Sequence, residues 1–120
     1  WWHMQPKRLS SKVKKAIADS AVDALLLSAI STWEFCKLIE KGKLGISCDP
    51  EVWMREALDM PRLRLVPITP RIAYCSTALP SPFHSDPADQ IIAATAREEN
   101  AVLLTRDKLM HEYAHVRTMW

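Results

Sequence analysis

Glycine is almost missing from this chain of 120 residues: only Gly42 and Gly45 occur. That excludes phosphate-binding loops built on glycine backbone. Cysteine is scarce and badly spaced for chelation. Cys36, Cys48 and Cys75 are odd in number, form no C-x-x-C, and read as reduced, buried thiols rather than a disulfide frame or zinc site. No apolar run approaches membrane-spanning length, and the first residues do not resemble a signal peptide. A cytoplasmic protein without a membrane partner is therefore expected. A dominant charge is lacking too. Sixteen basic against fourteen acidic residues leave +2, too little to declare a nucleic-acid binder by charge alone. An initiator methionine is also absent: the chain opens Trp1-Trp2-His3, as expected of a fragment of a longer reading frame or of a processed chain.

What is present suits one globular domain spanning 1–120, with 48% apolar and 25% charged residues and no internal repeat or linker. Its organising stretch is SPFHSDPADQIIAATAR, residues 81–97. Asp86 has the chemistry of an N-cap, and Pro87 fits the first helical position, where its missing N–H costs nothing. Ile91, Ile92, Ala93, Ala94 and Ala96 then describe a helix apolar nearly all round, which predicts burial. Asp89 shares a face with Ile92 and Ala93. A carboxylate drawn inward must be hydrogen-bonded, protonated or opposed by a cation. The plainer alternative is that Asp86 and Asp89 only favour the positive end of the helix.

Before this stretch, KVKKAIADSA forms a short amphipathic helix with Val13, Ile17 and Ala21 inward. Lys7, Arg8, Lys12, Lys14 and Lys15 make it basic, either as a solvated face or as an edge that contacts phosphate. ALLLSAI at 24–30 is a buried strand of the parallel type. Ser31 and Glu34 then have the spacing of a capping box, so a helix is expected to start there, with Phe35, Leu38 and Ile39 inward. Lys41-Gly42-Lys43 closes it. Asp49-Pro50 opens a helix over 51–60 with Val52, Met54, Ala57 and Leu58 inward and Trp53 partly covered. LRLVPI at 63–68 reads as a strand that Pro67 confines to a strand end or an edge. Thr69-Pro70 caps a helix over 71–79. After the organising helix, AVLLT at 101–105 is a second buried strand. Lys108 to Glu112 is a helical turn, and a last strand lies around 116–119. Strands alternating with helices predict an α/β sandwich with a mainly parallel sheet.

In such sheets, ligands bind beyond the carboxyl ends of the strands. Glu34 follows one strand by four residues, Asp107 follows another by two, and Asp89 opens the buried helix, so all three can meet at one rim. Clustered carboxylates raise one another's pKa unless a cation sits between them. Hard oxygen donors suit Mg²⁺ or Mn²⁺, which can activate water and stabilise a phosphoryl displacement. Phosphodiester hydrolysis is the matching chemistry, with Lys37, Lys41 and Arg106 available to a nucleic-acid backbone. Each acid has a structural alternative: Glu34 completes a capping box and Asp107 caps the turn at Lys108. Capping and metal binding are compatible. Thr32 and Thr105 are either supporting hydroxyls or ordinary strand-end residues.

From about Leu9 to Trp120 the chain resembles the PIN-domain ribonucleases of the VapC-like toxin type. The resemblance is carried by SAISTWE at 28–34, EKGKL at 40–44, VPITP at 66–70, FHSDPADQIIAATA at 83–96, LLTRD at 103–107 and VRTMW at 116–120, in this order and spacing. It implies a three-layer sandwich, with a mainly parallel sheet between helices. It also implies a Mg²⁺- or Mn²⁺-dependent endoribonuclease that acts as a toxin, a cognate antitoxin and a homodimer. By motif match, Glu34, Asp89 and Asp107 take the places of acidic metal-binding residues. Asp86 matches a further acid of the motif with a capping role, and Gln90 stands where many relatives carry arginine. The family's opening strand, apolar-apolar-Asp-Thr, has no counterpart here. It lies centrally in the family sheet, and its absence would leave a gap of about two strand spacings, ~10 Å, and lower both stability and activity.

Two other readings compete. His111-Glu112-Tyr113-Ala114-His115 fits H-E-x-x-H, the zinc-protease helix, but lacks a third ligand downstream and room for a long helix; otherwise it is a surface turn. The second is a catalytically impaired module that keeps only antitoxin or RNA binding. His84 is either an RNA contact or a plain loop residue.

Overall fold

The computed structural model describes residues 9–19 and 23–120. Lys7, Arg8 and Ala21 lie outside these residues. Helices α1 (Ser11–Ala18), α2 (Ala29–Glu40), α3 (Pro50–Leu58), α4 (Pro70–Thr77), α5 (Pro87–Glu98) and α6 (Lys108–Glu112) alternate with strands β1 (Leu25–Ser28), β2 (Leu63–Val66), β3 (Leu103–Leu104) and β4 (Thr118–Met119). Both strand pairs are parallel, β1 with β2 from Leu25 opposite Leu63 to Ser28 opposite Val66, and β3 with β4. This is the expected α/β arrangement of parallel strands flanked by helices. The two pairs are separate sheets among the described residues: β1 and β3 share no ladder.

One local device recurs through the chain. Three helices start with a side-chain acceptor followed by proline: Asp49-Pro50, Thr69-Pro70 and Asp86-Pro87. In each, the acceptor takes a backbone N–H of the first turn, and proline removes a donor that would have no partner. Asp86 Oδ1 accepts from Asp89 N at 3.0 Å, and Thr69 Oγ1 accepts from Ile72 N at 3.1 Å. Helix ends follow a matching rule. Gly42 and Asn100 take positive φ, and the next N–H returns to a carbonyl in the last turn, Lys43 N to Leu38 O and Ala101 N to Ala96 O.

Helix α5 is the centre of the packing. Ala93 and Ala94 are fully buried, and Ala88 and Ala96 nearly so. Small side chains let α4 and α2 approach closely, and α5 packs most extensively on α4 and next on α2. Val66, Ile72 and Ala94 form the core cluster, with Leu26, Leu79 and Ile91 against it. One polar link crosses this interior. Ser28 at the end of β1 and Thr95 on α5 are both buried, with their hydroxyl oxygens 3.3 Å apart, while Thr95 also donates to Ile91 O at 2.7 Å. Burial of these hydroxyls is tolerable only because they are satisfied.

Four expectations need correction. The stretch 101–105 is not a buried strand: only Leu103–Leu104 pair as β3, and Val102 and Leu104 are exposed. No capping box forms at Ser31 and Glu34. Helix α2 already starts at Ala29, with Ser28 as an N-cap that makes no side-chain cap bond. The apolar pair Ala29-Ile30 extends the helix rather than the strand, which places Glu34 in its second turn. Val52 faces out, 40% exposed, because α3 turns Trp53 instead onto Phe35, with ring centroids 4.4 Å apart. The cysteines are free but not buried: Cys36 and Cys48 are exposed and Cys75 is half-buried, donating to Glu98 Oε1.

Candidate functional site

The segment from Pro80 to Asp89 is held at several points. Tyr113 donates its hydroxyl to Pro80 O at 2.9 Å, and Gln90 donates its amide to His84 O at 3.1 Å. Phe83 stacks on His84 and meets Tyr113 edge-on. The residue at 90 thus has a structural task in this chain, pinning the loop that carries His84. That loop brings His84 Nε2 to 3.5 Å from Asp89 Oδ2, on the inward side of the first turn of α5.

Glu34 and Asp89 are both half-buried, and each has its pKa raised from the ordinary carboxylate value. For Glu34 the causes are burial first, then the negative charges of Asp89 and Asp86. For Asp89 burial again leads, followed by Asp86, while His84 acts in the opposite sense and Asp107 adds further repulsion. Asp89 is thus the middle of the set: it interacts with Glu34 from α2, with Asp86 at its own N-cap, and with Asp107 after β3. The acids do not close up on one another. Among the described residues, no three His, Cys, Asp or Glu side chains stand close enough to hold an ion.

Asp107 is exposed and caps α6, with Oδ1 accepting from Met110 N at 3.0 Å. Thr105 Oγ1 accepts from Asp107 N at 3.0 Å, so that hydroxyl fixes the turn bearing the acid. Thr32 instead bonds back into its own helix, to Ala29 O. The cationic candidates are partly engaged. Lys37 pairs with Glu40 and lies over the Trp33 ring, 5.9 Å from its centroid; Arg106 lies over Trp120 at 5.7 Å; Lys41 is the exposed C-cap of α2.

The H-E-x-x-H pattern does not form a chelating face. Helix α6 ends at Glu112, before the second histidine. Both ring nitrogens of His111 are occupied, by Thr118 Oγ1 and Thr105 O. His115 instead packs near the Tyr113 ring. Beside Glu34 lies an apolar groove of about 380 Å³ between α2 and α3, lined chiefly by Leu27, Phe35, Leu38, Trp53, Met54 and Leu63. No periodicity in the sequence marks this groove, because its lining comes from α2 and α3 together with Leu27 of β1 and Leu63 of β2. Among the described residues no helix is long and apolar enough to cross a membrane.

Parallel strands flanked by helices, with Glu34 on α2, Asp89 on α5 and Asp107 in the β3–α6 turn, are the frame in which the comparisons with known proteins fall. The PIN domain family matches residues 1–116, and the chain belongs to that family. It is 36% identical over 122 residues to ribonuclease VapC22 of Mycobacterium tuberculosis (strain ATCC 25618 / H37Rv), covering 100% of this chain and 91% of that protein. The fold is similar to the crystal structure of VapBC2 from Rickettsia felis bound to a DNA fragment from their promoter. There the TM-score is 0.68 at 15% identity, over 98% of this chain and 89% of the other. The chain is thus a homologue of a VapC ribonuclease toxin, within a toxin–antitoxin family.

Proposed function

We propose that this protein is a Mg²⁺- or Mn²⁺-dependent endoribonuclease toxin that hydrolyses RNA phosphodiester bonds, with Glu34, Asp89 and Asp107 as the metal-binding acids. The observation that carries the reading is that Glu34 and Asp89 are both half-buried acids with raised pKa: burial leads in each, with Asp89 and Asp86 adding to it at Glu34, and Asp86 and Asp107 at Asp89. Half-buried acids that repel one another are costly to keep ionised, and a divalent cation removes that cost. The donor set fits the ion in kind, since all three are hard oxygen ligands. When bound, the ion would supply Lewis acidity and activate water for attack on phosphorus.

The chain's own residues then divide the remaining tasks. Asp89 is oriented by its place one turn from the Asp86 cap, and its Oδ2 faces His84. Asp107 keeps Oδ1 on the α6 cap, leaving Oδ2 without a hydrogen bond among the described residues. Arg106, Lys37 and Lys41 supply positive charge for the phosphates on either side of the cut. Asp86 acts through its cap, holding the first turn of α5, rather than as a ligand.

The partner we assign is a cognate antitoxin, and the apolar groove between α2 and α3 is the surface that suits it. Glu34 is among the groove's lining residues, so a segment seated there would also cover one of the acids. A homodimer in the cytoplasm completes the reading, by analogy with the family.

The test is cleavage of a single-stranded RNA panel by purified protein with Mg²⁺, Mn²⁺ or EDTA. Metal-dependent cutting that is lost in Asp89→Asn supports the proposal. RNA or antitoxin binding without any cleavage would replace it with the binding-module reading.

A further inference from the structure

We propose that His111 is a positioning residue for Asp107: its imidazole ties the end of β3 to β4 and thereby fixes the turn that presents the Asp107 carboxylate. The inference rests on the nuclease reading of Asp107 given above.

The turn has little else to hold it. Strand β3 is two residues long and α6 is five, both too short to be stable by themselves. Arg106, Asp107, Lys108 and Leu109 are all exposed, so burial does not define the path of the chain there. Met110, 2% exposed, is the one residue of α6 that is buried.

A closed circuit of hydrogen bonds replaces that burial. Thr105 N donates to Met119 O at 3.1 Å, fastening the start of the turn to β4. Asp107 N donates to Thr105 Oγ1, and Asp107 Oδ1 and O accept from Met110 N and His111 N. The imidazole of His111 then closes the circuit from the other end. Its Nε2 lies 2.8 Å from Thr105 O, and its Nδ1 lies 2.8 Å from Thr118 Oγ1. A carbonyl oxygen only accepts, so Nε2 carries the hydrogen; in the neutral ring Nδ1 accepts from the Thr118 hydroxyl. The same side chain therefore grips both strands of the second sheet, one helical turn after the acid. With both nitrogens engaged, His111 has no ring atom left for substrate or metal, and its influence passes through Asp107. This gives the first histidine of the failed zinc motif a definite task.

The experiment compares His111→Ala, His111→Gln and Thr118→Val with the wild type, and with Lys108→Ala as an exposed control on the same helix. Backbone amide exchange at Asp107 and Met110 is read by NMR on metal-free protein, and Mn²⁺ affinity by calorimetry. His111→Ala is expected to speed exchange at these two amides and weaken Mn²⁺ binding about tenfold, the scale of losing a hydrogen-bond partner behind a metal ligand. His111→Gln, whose amide N–H can still reach Thr105 O, is expected to recover part of both. Thr118→Val should show a smaller effect of the same kind, and Lys108→Ala none. Unchanged exchange at Asp107 and Met110 in folded His111→Ala overturns the proposal. So does a change equalled by Lys108→Ala. Should His111→Ala not fold, Thr118→Val and His111→Gln decide by the same two readouts. A wild-type protein that binds no Mn²⁺ would sink the nuclease reading instead, and the exchange data would still decide the role of His111.

Discussion

His84 Nε2 is buried 3.5 Å from Asp89 Oδ2, yet makes no hydrogen bond. The distance is within ion-pair range but the alignment falls short of a hydrogen bond, so the pair acts through charge. Its effect on Asp89 is to favour the ionised form, against burial and two neighbouring acids. His84→Ala should therefore raise the Asp89 pKa further. Mn²⁺ affinity, measured by calorimetry, should fall more at pH 5 than at pH 8. An equal loss at both pH values would contradict this role.

Neutralising the acids should separate stability from activity. Glu34→Gln and Asp89→Asn each remove a half-buried charge that its neighbours repel. Melting temperature without metal should rise or stay level, while cleavage falls by about 10²-fold or more, the pattern of a site that trades stability for function. A clear drop in melting temperature in both variants would argue that these carboxylates are structural.

Stability should also depend on pH in a defined direction. Both acids have folded-state pKa values above their ordinary values of 4.5 and 3.8. Between the ordinary and the raised value the folded state binds more protons than the unfolded one. The contribution of these two groups therefore falls as pH rises through that window, and is most favourable below it. Mg²⁺ removes the repulsion between the ionised forms. Its stabilising effect in thermal melts should be larger at pH 7.5 than at pH 5. A pH-independent effect would count against binding at these acids.

Asp86 should behave as a cap. Its Oδ1 takes the Asp89 N–H, so Asp86→Ala should lower unfolding free energy by about 1 kcal/mol, and Asp86→Asn by much less. Denaturant unfolding of the two variants checks this. Metal-dependent cleavage retained in Asp86→Asn would keep Asp86 out of the ligand set, and its loss there would add it.

Much of this structure can be read from residue chemistry, and the failures have identifiable causes. The Asp49-Pro50, Thr69-Pro70 and Asp86-Pro87 starts are local signals, set by which donors the first turn must satisfy, and they fall where expected. The burial of α5 follows from its alanines. The start of α2 is not legible in the sequence, because Ala29-Ile30 suits either a buried strand or a helix. The tasks of His84, Gln90 and His111 were not legible, since each depends on partners that the chain brings together only on folding. The groove beside Glu34 likewise has no signature in either helix taken alone.

The most direct measurement is calorimetric titration of Mn²⁺ into wild-type protein and into Glu34→Gln, Asp89→Asn and Asp107→Asn. Saturable binding in the wild type, weakened in each variant and most in Asp89→Asn, is the expected result. Binding that is absent from the wild type, or equally strong in all four proteins, would contradict a divalent ion held among these three acids.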